Sequence, residues 1–522
     1  MSLAWQQTDD LPVQTAATIG SGPHRLSADV VVVGSGAGGA VMAYELAREG
    51  RSVIVLEAGP FVPSSRFTER YPQMMERLYQ DRGGQRNEDG DLLVLQGSCV
   101  GGSTVVNAAA AFRTPEYVLR DWREKFGLSD MTSEALDPWF TQVEQRLSVH
   151  VNAPHEINQN NQVIMRGCDK LGVSWRPLAR NIKNCALTGF CLAGCASDRK
   201  QSMLVTYLPW AMHHGAQVIA DTRVERIRHK NGKATGVVAT TIDPKTGRKV
   251  ADVEVEAKLV VVAAGAVQSP LLLTRSGLTG QSGQVGRNFA CHPSVGILAD
   301  FDEEIFGWRG ATLGAYCDEW DHPDRGGFIL EFAMAGADFM AAFSPGIADK
   351  HLEFMGRLKN VAGMISLIHD ENAGVITTND RGEKAIRYRV TQKDRETIRT
   401  VIKRSAEIYF AAGANKVFVP TYAPTVIEDV KDIDRIVDAL DLGPGTIGMT
   451  SYHPQGTCRM GANPQNSVVG PDGQFHGVER LYVADASLFP TSIMVNPQMT
   501  VYALSSKIAH GINEQGSELF GN

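Results

Sequence analysis

A glycine-rich turn between two short apolar runs constrains the fold of this chain more than any other feature. The run DVVVV at 29–33 is followed by GSGAGG at 34–39, by a segment with helical spacing that ends at Gly50, and by SVIVLE at 52–57. Short apolar runs of this kind are typical of strands buried on both faces of a parallel sheet. The order of strand, glycine turn, helix and strand predicts a βαβ unit within an α/β fold.

The residues of this unit indicate a dinucleotide site. Gly34 permits a tight turn, Gly36 lets the backbone approach a pyrophosphate, and Gly39 lets the helix pack closely on the strand. The N-terminus of the helix adds unpaired N–H groups that favour phosphate. Glu57 ends the second run and can accept hydrogen bonds from ribose hydroxyls. The motif alone does not distinguish NAD from FAD.

Charge and composition argue against several classes of protein. The 51 Lys and Arg residues against 58 Asp and Glu give a net charge of −7, which disfavours a nucleic-acid partner. The longest apolar runs, such as 259–267, fall short of the roughly 18 residues of a membrane span, and the first residues do not resemble a signal peptide. Eight cysteines in 522 residues favour a reducing compartment. We therefore expect no transmembrane segment and a cytoplasmic protein, with peripheral membrane contact left open.

Apolar spacing and turn residues predict the rest of the chain in outline. Strand sequence that ends in VVVAAG at 260–265 indicates that the first lobe is completed far from its start, as is common in flavoproteins. The other predictions are an irregular arm at 1–28, a covering loop at 60–91, mainly helices at 115–180, a helix near 201–214, strands and hairpins over 217–267, an antiparallel sheet within 300–390, and a helix over 391–413 that stops at Gly413.

Four blocks of sequence together resemble the glucose–methanol–choline (GMC) oxidoreductase family of FAD enzymes along nearly the whole chain. They are GSGAGG with Glu57, GGSTVVN at 101–107, GAVQSPLLLTRSGL at 265–278, and YHPQGTCRMG at 452–461 followed by LYVADASLFPTSIMVNPQMTV at 481–501. One departure is Thr279, where the family's second signature usually has Gly. The cysteine-bearing loop at 184–196 and VGRNFACHP at 285–293 are similar to the long-chain alcohol oxidase branch.

The resemblance implies a two-lobe α/β flavoprotein. A Rossmann-like FAD-binding domain would be assembled from 25–110, 205–295 and 448–522, with 111–204 forming bridging helices and the cysteine loop. A substrate-binding domain over 296–447 would contain an antiparallel sheet backed by helices. The segment 326–345 is rich in Met and Phe, which suits either an apolar pocket or a buried strand and helix.

The resemblance also assigns roles to matching positions. Val224 would contact the adenine. Asn496, Pro497 and Gln498 would contact the flavin ring. The remaining positions would contact the phosphates, the ribityl chain or the flavin. Val106 stands where some relatives attach the flavin through a histidine, so we expect FAD to be bound non-covalently. The expected cofactor-binding residues are Gly34, Gly36, Gly39, Glu57, Gly101, Gly102, Ser103, Asn107, Val224, Gly265, Asp485, Ala486, Pro497 and Gln498.

The activity that the resemblance implies is oxidation of a small-molecule alcohol, apolar or bulky, to an aldehyde or ketone. His453 would take the hydroxyl proton because an imidazole titrates near neutrality, and Asn496 would fix the substrate oxygen. Hydride would pass to flavin N5, and the helix after Pro497 would stabilise the charge that develops on the ring. His292 is predicted to be structural. Oxygen, a quinone or a redox protein would then reoxidise the flavin.

Other readings stay open from sequence alone. The same fold hosts hydroxynitrile lyases, in which FAD is structural, and a light-driven fatty-acid decarboxylase. Cys185, Cys191 and Cys195 are either free thiols, ligands of an iron–sulfur cluster or a disulfide pair with a third thiol. A cluster would favour an electron-transferring subunit of a larger complex. We expect no metal site, and free thiols are the preferred interpretation.

Overall fold

Two large β-sheets organise the described part of the chain. The computed structural model describes residues 7–343, 345–371 and 374–521. The strands are β1 Gly22–Val33, β2 Val53–Leu56, β3 Leu92–Val94, β4 Val149–Val151, β5 Trp175–Pro177, β6 Ala179–Asn181, β7 Gln217–Ile219, β8 Thr222–Lys230, β9 Lys233–Ile242, β10 Lys249–Val262, β11 Arg287–Phe289, β12 Gly296–Asp300, β13 Leu313–Cys317, β14 Phe328–Ala333, β15 Val361–Ile368, β16 Gly374–Thr378, β17 Lys384–Arg387, β18 Lys416–Val419, β19 Thr425–Ile427, β20 Met449–Ser451 and β21 Leu481–Val483.

The helices cover the faces of these sheets and connect them. They are α1 Ala37–Ala47, α2 Tyr71–Leu78, α3 Glu116–Phe126, α4 Ser133–Arg146, α5 Gln159–Leu171, α6 Tyr207–His213, α7 Gly265–Arg275, α8 Ala337–Phe343, α9 Asp349–Arg357, α10 Gln392–Ala412, α11 Ile433–Asp438, α12 Gln498–Glu514 and α13 Gly516–Phe520.

The first sheet has the order β7-β2-β1-β10-β9-β8, and β21 pairs with the carboxyl end of β10. Strands β7, β2, β1, β10 and β21 run parallel, whereas β9 is antiparallel to both β10 and β8. Val30 to Val33 are almost fully buried, because this part of β1 is covered on both faces. The predicted βαβ unit and α/β fold are therefore confirmed. The carboxyl ends of β1, β2 and β10 meet at one edge, where open α/β sheets bind ligands.

The second sheet is antiparallel throughout and has the order β19-β18-β12-β15-β14-β13-β5. Helices α5 and α10 pack on one of its faces, as predicted for a sheet backed by helices. The predicted helix at 391–413 is confirmed by α10. The first sheet takes strands from 22–56, 217–262 and 481–483, and the second takes them from 175–177 and 296–427. The division of the chain into domains at the limits given above stays a proposal.

Helix α10 begins at a capping box. The Thr391 hydroxyl accepts a hydrogen bond from Asp394 N at 3.1 Å, and the Asp394 carboxylate accepts one from Thr391 N at 2.9 Å. Replacing Thr391 with Ala is expected to cost about 1 kcal/mol because an N–H of the first turn loses its partner. Hydrogen exchange of the amides of Asp394 and Arg395 should then be about fivefold faster. Unchanged exchange there would contradict the capping role.

Two of the outline predictions are wrong in part. Residues 1–28 are not wholly an irregular arm, because β1 begins at Gly22. The first residues of β1 are largely exposed, so they form no apolar run. The loop at 60–91 contains α2, whose buried side chains are spaced along one face. The segment 115–180 is mainly helical, as predicted, and it also holds β4, β5 and part of β6, each too short for a sequence period to show.

Candidate active site

A cavity of about 1140 Å³ lies between the carboxyl edge of the first sheet and the second sheet. It runs from Val224 at one end to Asn496 and the second sheet at the other. Most of the residues predicted from sequence line it. These are Gly34, Gly36, Glu57, Gly102, Ser103, Asn107, Val224, Gly265, His453, Asp485, Ala486, Asn496, Pro497 and Gln498.

Gly39 and Gly101 are the two predicted residues that do not line the cavity. A Cβ on Gly39 would lie 2.0 Å from Gly34 O, so its role is the close packing of α1 on β1. Gly101 has φ +94° and donates its N–H to Ser35 Oγ at 3.0 Å. Both glycines shape the wall of the cavity from behind, because they let backbone segments approach closely.

The two glycine stretches meet at Gly36 and Gly102. A Cβ on Gly102 would lie 2.7 Å from Gly36 Cα, so only glycine fits there. A Cβ on Gly36 would meet only Gly102 Cα, at 3.8 Å, which is an ordinary contact. The space in front of Gly36 is therefore cavity and not protein. Helix α1 begins at Ala37 with no side-chain cap, so its first N–H groups also face that space.

Glu57 lies at the carboxyl end of β2 with 7% of its surface exposed. One carboxylate oxygen accepts hydrogen bonds from Ser35 N at 2.9 Å and Ser35 Oγ at 2.7 Å, and the other accepts one from Gly59 N at 2.8 Å. Burial raises the pKa of this carboxyl, and the hydrogen bonds oppose that shift. The carboxylate also lines the cavity, which places it within reach of a ligand hydroxyl.

The opposite wall comes from the C-terminal blocks. The Asp485 carboxylate accepts hydrogen bonds from Gly265 N at 2.9 Å and Ser269 Oγ at 2.6 Å, which joins β21 to the start of α7. The Gln498 carbonyl accepts from Asn107 Nδ2 at 2.8 Å, so α12 is fixed to the second glycine stretch. Pro497 supplies no side-chain cap to α12, and the first turn of that helix faces the cavity.

His453 and Asn496 lie together where the cavity meets the second sheet. They are 7% and 8% exposed, and Asn496 Nδ2 lies 3.2 Å from His453 Nε2. Asn496 Oδ1 is buried and has no partner among the described residues. Burial lowers the pKa of His453 to about 3. This end of the cavity thus holds polar atoms whose hydrogen-bonding capacity is not filled by protein.

Three residues near this pair were not predicted as part of the site. His292, which was predicted to be structural, is fully buried. Its Nδ1 lies 3.2 Å from His453 Nδ1. Asp370 accepts hydrogen bonds from Cys291 N at 2.9 Å and His292 N at 3.2 Å, which fixes that segment. Glu331 lines the cavity from β14 and is 1% exposed. A lone acid within the apolar run FILEF was the sequence signal for Glu331.

Part of the cavity wall is apolar. Met334, Phe339 and Met340 line it from the segment 326–345, which also forms β14 and α8. Both interpretations of that segment therefore hold in part, since it contributes a buried strand and a helix as well as pocket wall. Ile347, which is 84% exposed, lies at the rim.

Comparison with protein families identifies the family of the chain. The N-terminal family model described as GMC oxidoreductase matches residues 29–294, and the C-terminal model matches residues 371–505. The chain belongs to the GMC oxidoreductase family. The resemblance and the flavoprotein fold predicted from sequence are thereby confirmed, the protein is an oxidoreductase, and the family's cofactor is FAD.

Relatives of this GMC oxidoreductase include both oxidases and dehydrogenases. Long-chain-alcohol oxidase FAO4B of Arabidopsis thaliana is 30% identical over 544 residues, which cover 98% of this chain and 71% of that enzyme. The 2-methyl-1,2-propanediol dehydrogenase of Mycolicibacterium austroafricanum is 27% identical to it. The aligned region covers 94% of this chain and 96% of that enzyme. The crystal structure of pyridoxine 4-oxidase from Mesorbium loti matches with a TM-score of 0.70 at 18% sequence identity. The match covers 93% of this chain and 99% of the chain in that structure, so the two share a fold.

The residues of this GMC oxidoreductase fit FAD. A dinucleotide needs a glycine that leaves room for its pyrophosphate, unpaired N–H groups beside it and an acid for a ribose. Gly36 opens onto the cavity, the first turn of α1 is uncapped, and the Glu57 carboxylate lines the cavity. Bound FAD would extend along the cavity and supply a two-electron acceptor for a hydride.

The cysteine loop of this GMC oxidoreductase holds free thiols. All eight cysteines are free, so the disulfide reading is wrong. Within the described ranges, no three His, Cys, Asp or Glu side chains are arranged to hold a metal ion. Lys200, fully buried, instead donates to Val105 O, Asn107 O and Cys191 O at 2.7 to 2.8 Å. This lysine ties the loop to the wall of the FAD cavity.

Membrane insertion finds no support in the helices that the structure describes. None of them combines the length and the apolar character that a bilayer span requires.

Proposed function

We propose that this protein oxidises the hydroxyl group of an apolar or bulky alcohol to a carbonyl with FAD as the electron acceptor. The observation that carries the proposal is the placement of His453 and Asn496 in the same cavity as the FAD-binding glycines. The side chains at this end have unfilled hydrogen-bonding capacity, which suits a substrate oxygen. Their position beside the start of α12 puts that oxygen near the expected flavin ring.

The geometry supports specific roles for the chain's own residues. His453 Nε2 and the Asn496 amide lie 3.2 Å apart, close enough for one hydroxyl oxygen to contact both. The uncapped first turn of α12 offers partial positive charge where the reduced cofactor becomes negative. We further propose that FAD is dissociable, because Val106 lines the cavity and has no nucleophilic atom. The eight free thiols of the protein support a cytosolic location.

The apolar lining around Met334 and Phe339 supports an apolar substrate. Each methylene buried there is worth about 0.8 kcal/mol, or roughly a fourfold change in binding. We expect kcat/KM to rise about fourfold per added methylene from ethanol towards 1-octanol, until the cavity is filled. A flat series would contradict an apolar substrate site.

Anaerobic mixing of the purified holoprotein with ethanol, 1-octanol, 1-dodecanol, benzyl alcohol and cyclohexanol tests the proposal. Alcohol oxidation predicts bleaching of the oxidised flavin band and formation of the matching carbonyl compound. Cleavage of mandelonitrile without bleaching, together with no bleaching by any alcohol, would show a lyase instead. Reoxidation of the bleached protein by oxygen, a quinone or a redox dye would then identify the class of acceptor.

A further inference from the structure

A second cavity, of about 370 Å³, lies where α1 and α12 end. It is lined from α1 by Glu45, from α4 by Gln142 and from α12 by Asn513, and α12 packs on both of the other helices. Helices α1 and α12 begin at the FAD cavity. Because the 11 residues of α1 span roughly 15 Å, the two cavities are well separated. The volume of the second cavity falls within the range of small-molecule sites.

Three side chains that line the second cavity have unfilled hydrogen-bonding capacity. Ser506 is 2% exposed, and its Oγ has no partner among the described residues. Gln142 Oε1 and Asn513 Oδ1 are also buried without a partner in that part of the chain. Asn513 Nδ2 donates to Glu45 O at 3.1 Å, so its Oδ1 is fixed as the free acceptor. A buried acceptor without a partner costs free energy, and a ligand that carries hydrogen-bond donors would remove that cost.

The charges at the second cavity favour a cation. Glu45, Glu49 and Glu514 line it, together with Arg48. Arg48 Nε lies 2.9 Å from Glu45 Oε2 and 3.6 Å from Glu49 Oε1, and Glu45 also pairs with Arg146. Three carboxylates therefore face two guanidinium groups. The last turns of α1 and α12 contain no basic residue, so the partial negative charge at the ends of these helices adds to the acidic balance.

Aromatic rings in the second cavity favour an organic cation over a metal ion. Trp139 and His510 line it with ring centroids 5.2 Å apart, and His510 Nε2 lies 3.4 Å from Glu514 Oε1. The face of an indole attracts a cation and also packs against alkyl groups. By contrast, no three His, Cys, Asp or Glu side chains in the described ranges are arranged to hold a metal ion.

We propose that the second cavity binds an organic cation that carries a primary ammonium group. The three N–H donors of such a group equal in number the unfilled oxygens of Gln142, Ser506 and Asn513. Its charge suits the acidic lining, and its alkyl chain suits the ring of Trp139. This binding is independent of alcohol oxidation, because none of the residues that line the second cavity also lines the FAD cavity.

Isothermal titration calorimetry of the FAD-loaded protein tests the class of ligand. The probes are butylammonium chloride and 1,4-diaminobutane dihydrochloride, with tetramethylammonium chloride and potassium chloride as comparisons at equal ionic strength. At least one of the two amines should bind at one equivalent. Tetramethylammonium has the charge but no N–H group, so it should bind at least about tenfold more weakly. Saturable binding of neither amine, equal binding of tetramethylammonium, or displacement of the amine by an equal concentration of potassium would overturn the proposal.

Variants of the lining residues test where the amine binds. Gln142→Met removes Oε1 at similar volume and should weaken amine binding about 10- to 100-fold, the usual effect of losing a hydrogen bond to a charged group. Trp139→Leu should weaken it about 2- to 30-fold. Gln392→Met is the matched control, because Gln392 is exposed at the start of α10 and does not line the second cavity.

Two further measurements keep the location of the amine open to refutation. Gln142→Glu keeps an acceptor and adds a negative charge, so it should bind the amine at least as tightly as the wild type. The flavin absorption spectrum should not change on addition of amine, because the FAD cavity is separate. Wild-type affinity in both Gln142→Met and Trp139→Leu, or a change in the flavin spectrum that follows amine binding, would place the amine elsewhere and overturn the proposal.

Discussion

Replacing His453 with Ala is expected to slow flavin reduction by an accepted alcohol about 10²- to 10⁴-fold, the usual effect of removing a general base. FAD should remain bound, because no residue of the glycine stretches touches this imidazole. Stopped-flow absorbance at the oxidised flavin band measures the rate, and the spectrum of the purified variant measures FAD content. A variant that reduced at the wild-type rate with every accepted alcohol would remove His453 from the site.

A second substitution tests whether His453 acts as a base or only as a hydrogen-bond donor. His453→Gln keeps an N–H that can donate to the substrate oxygen but cannot act as a base near neutrality. If His453 is a donor, His453→Gln should be faster than His453→Ala by tenfold or more. Equal rates would favour a base. His229→Ala is the control, because His229 is exposed on β8, away from the cavity.

Replacing Gly36 with Ala is expected to weaken FAD binding by about 10- to 100-fold, since overpacking a close contact costs about 1–3 kcal/mol. Gly36 has φ −72° and ψ −159°, which Ala can adopt, and the added Cβ meets no protein atom closer than 3.8 Å. The protein should therefore fold while the cofactor is excluded. Flavin fluorescence during titration of apoprotein with FAD measures the affinity.

Gly356→Ala provides the matched control for Gly36→Ala. A Cβ on Gly356, in α9, meets nothing within 4 Å, so FAD affinity should equal that of the wild type. Circular dichroism should show the same helix content in all three apoproteins. Wild-type FAD affinity in Gly36→Ala would mean that the dinucleotide does not approach Gly36.

The sequence predicted the FAD cavity far better than the chemistry beside it. Gly34, Gly36 and Glu57 were found because a βαβ unit places its turn and its terminal acid at one edge of the sheet by local geometry alone. The second sheet and α10 followed from apolar spacing and turn residues. The strands β4 to β6 were missed, because three residues are too few to show a period.

Glu331 and His292 required the three-dimensional structure. An acid in an apolar strand can point to the core, to solvent or to a cavity, depending on how its sheet packs. The packing of the sheet cannot be read from the run FILEF. His292 accepts a hydrogen bond from the backbone of Met494, 202 residues away along the chain. Such long-range hydrogen bonds leave no pattern in the spacing of residues, so the direction of this network could not be predicted.

The two walls of the FAD cavity are far apart along the chain. Gly36 and Gly102 belong to the N-terminal part, whereas Asp485 and the start of α12 complete the ring end. During translation, the first wall must wait for several hundred further residues before its counterpart leaves the ribosome. The cofactor can therefore meet both walls only after the C-terminal wall has been synthesised, so its loading is a late event in biogenesis.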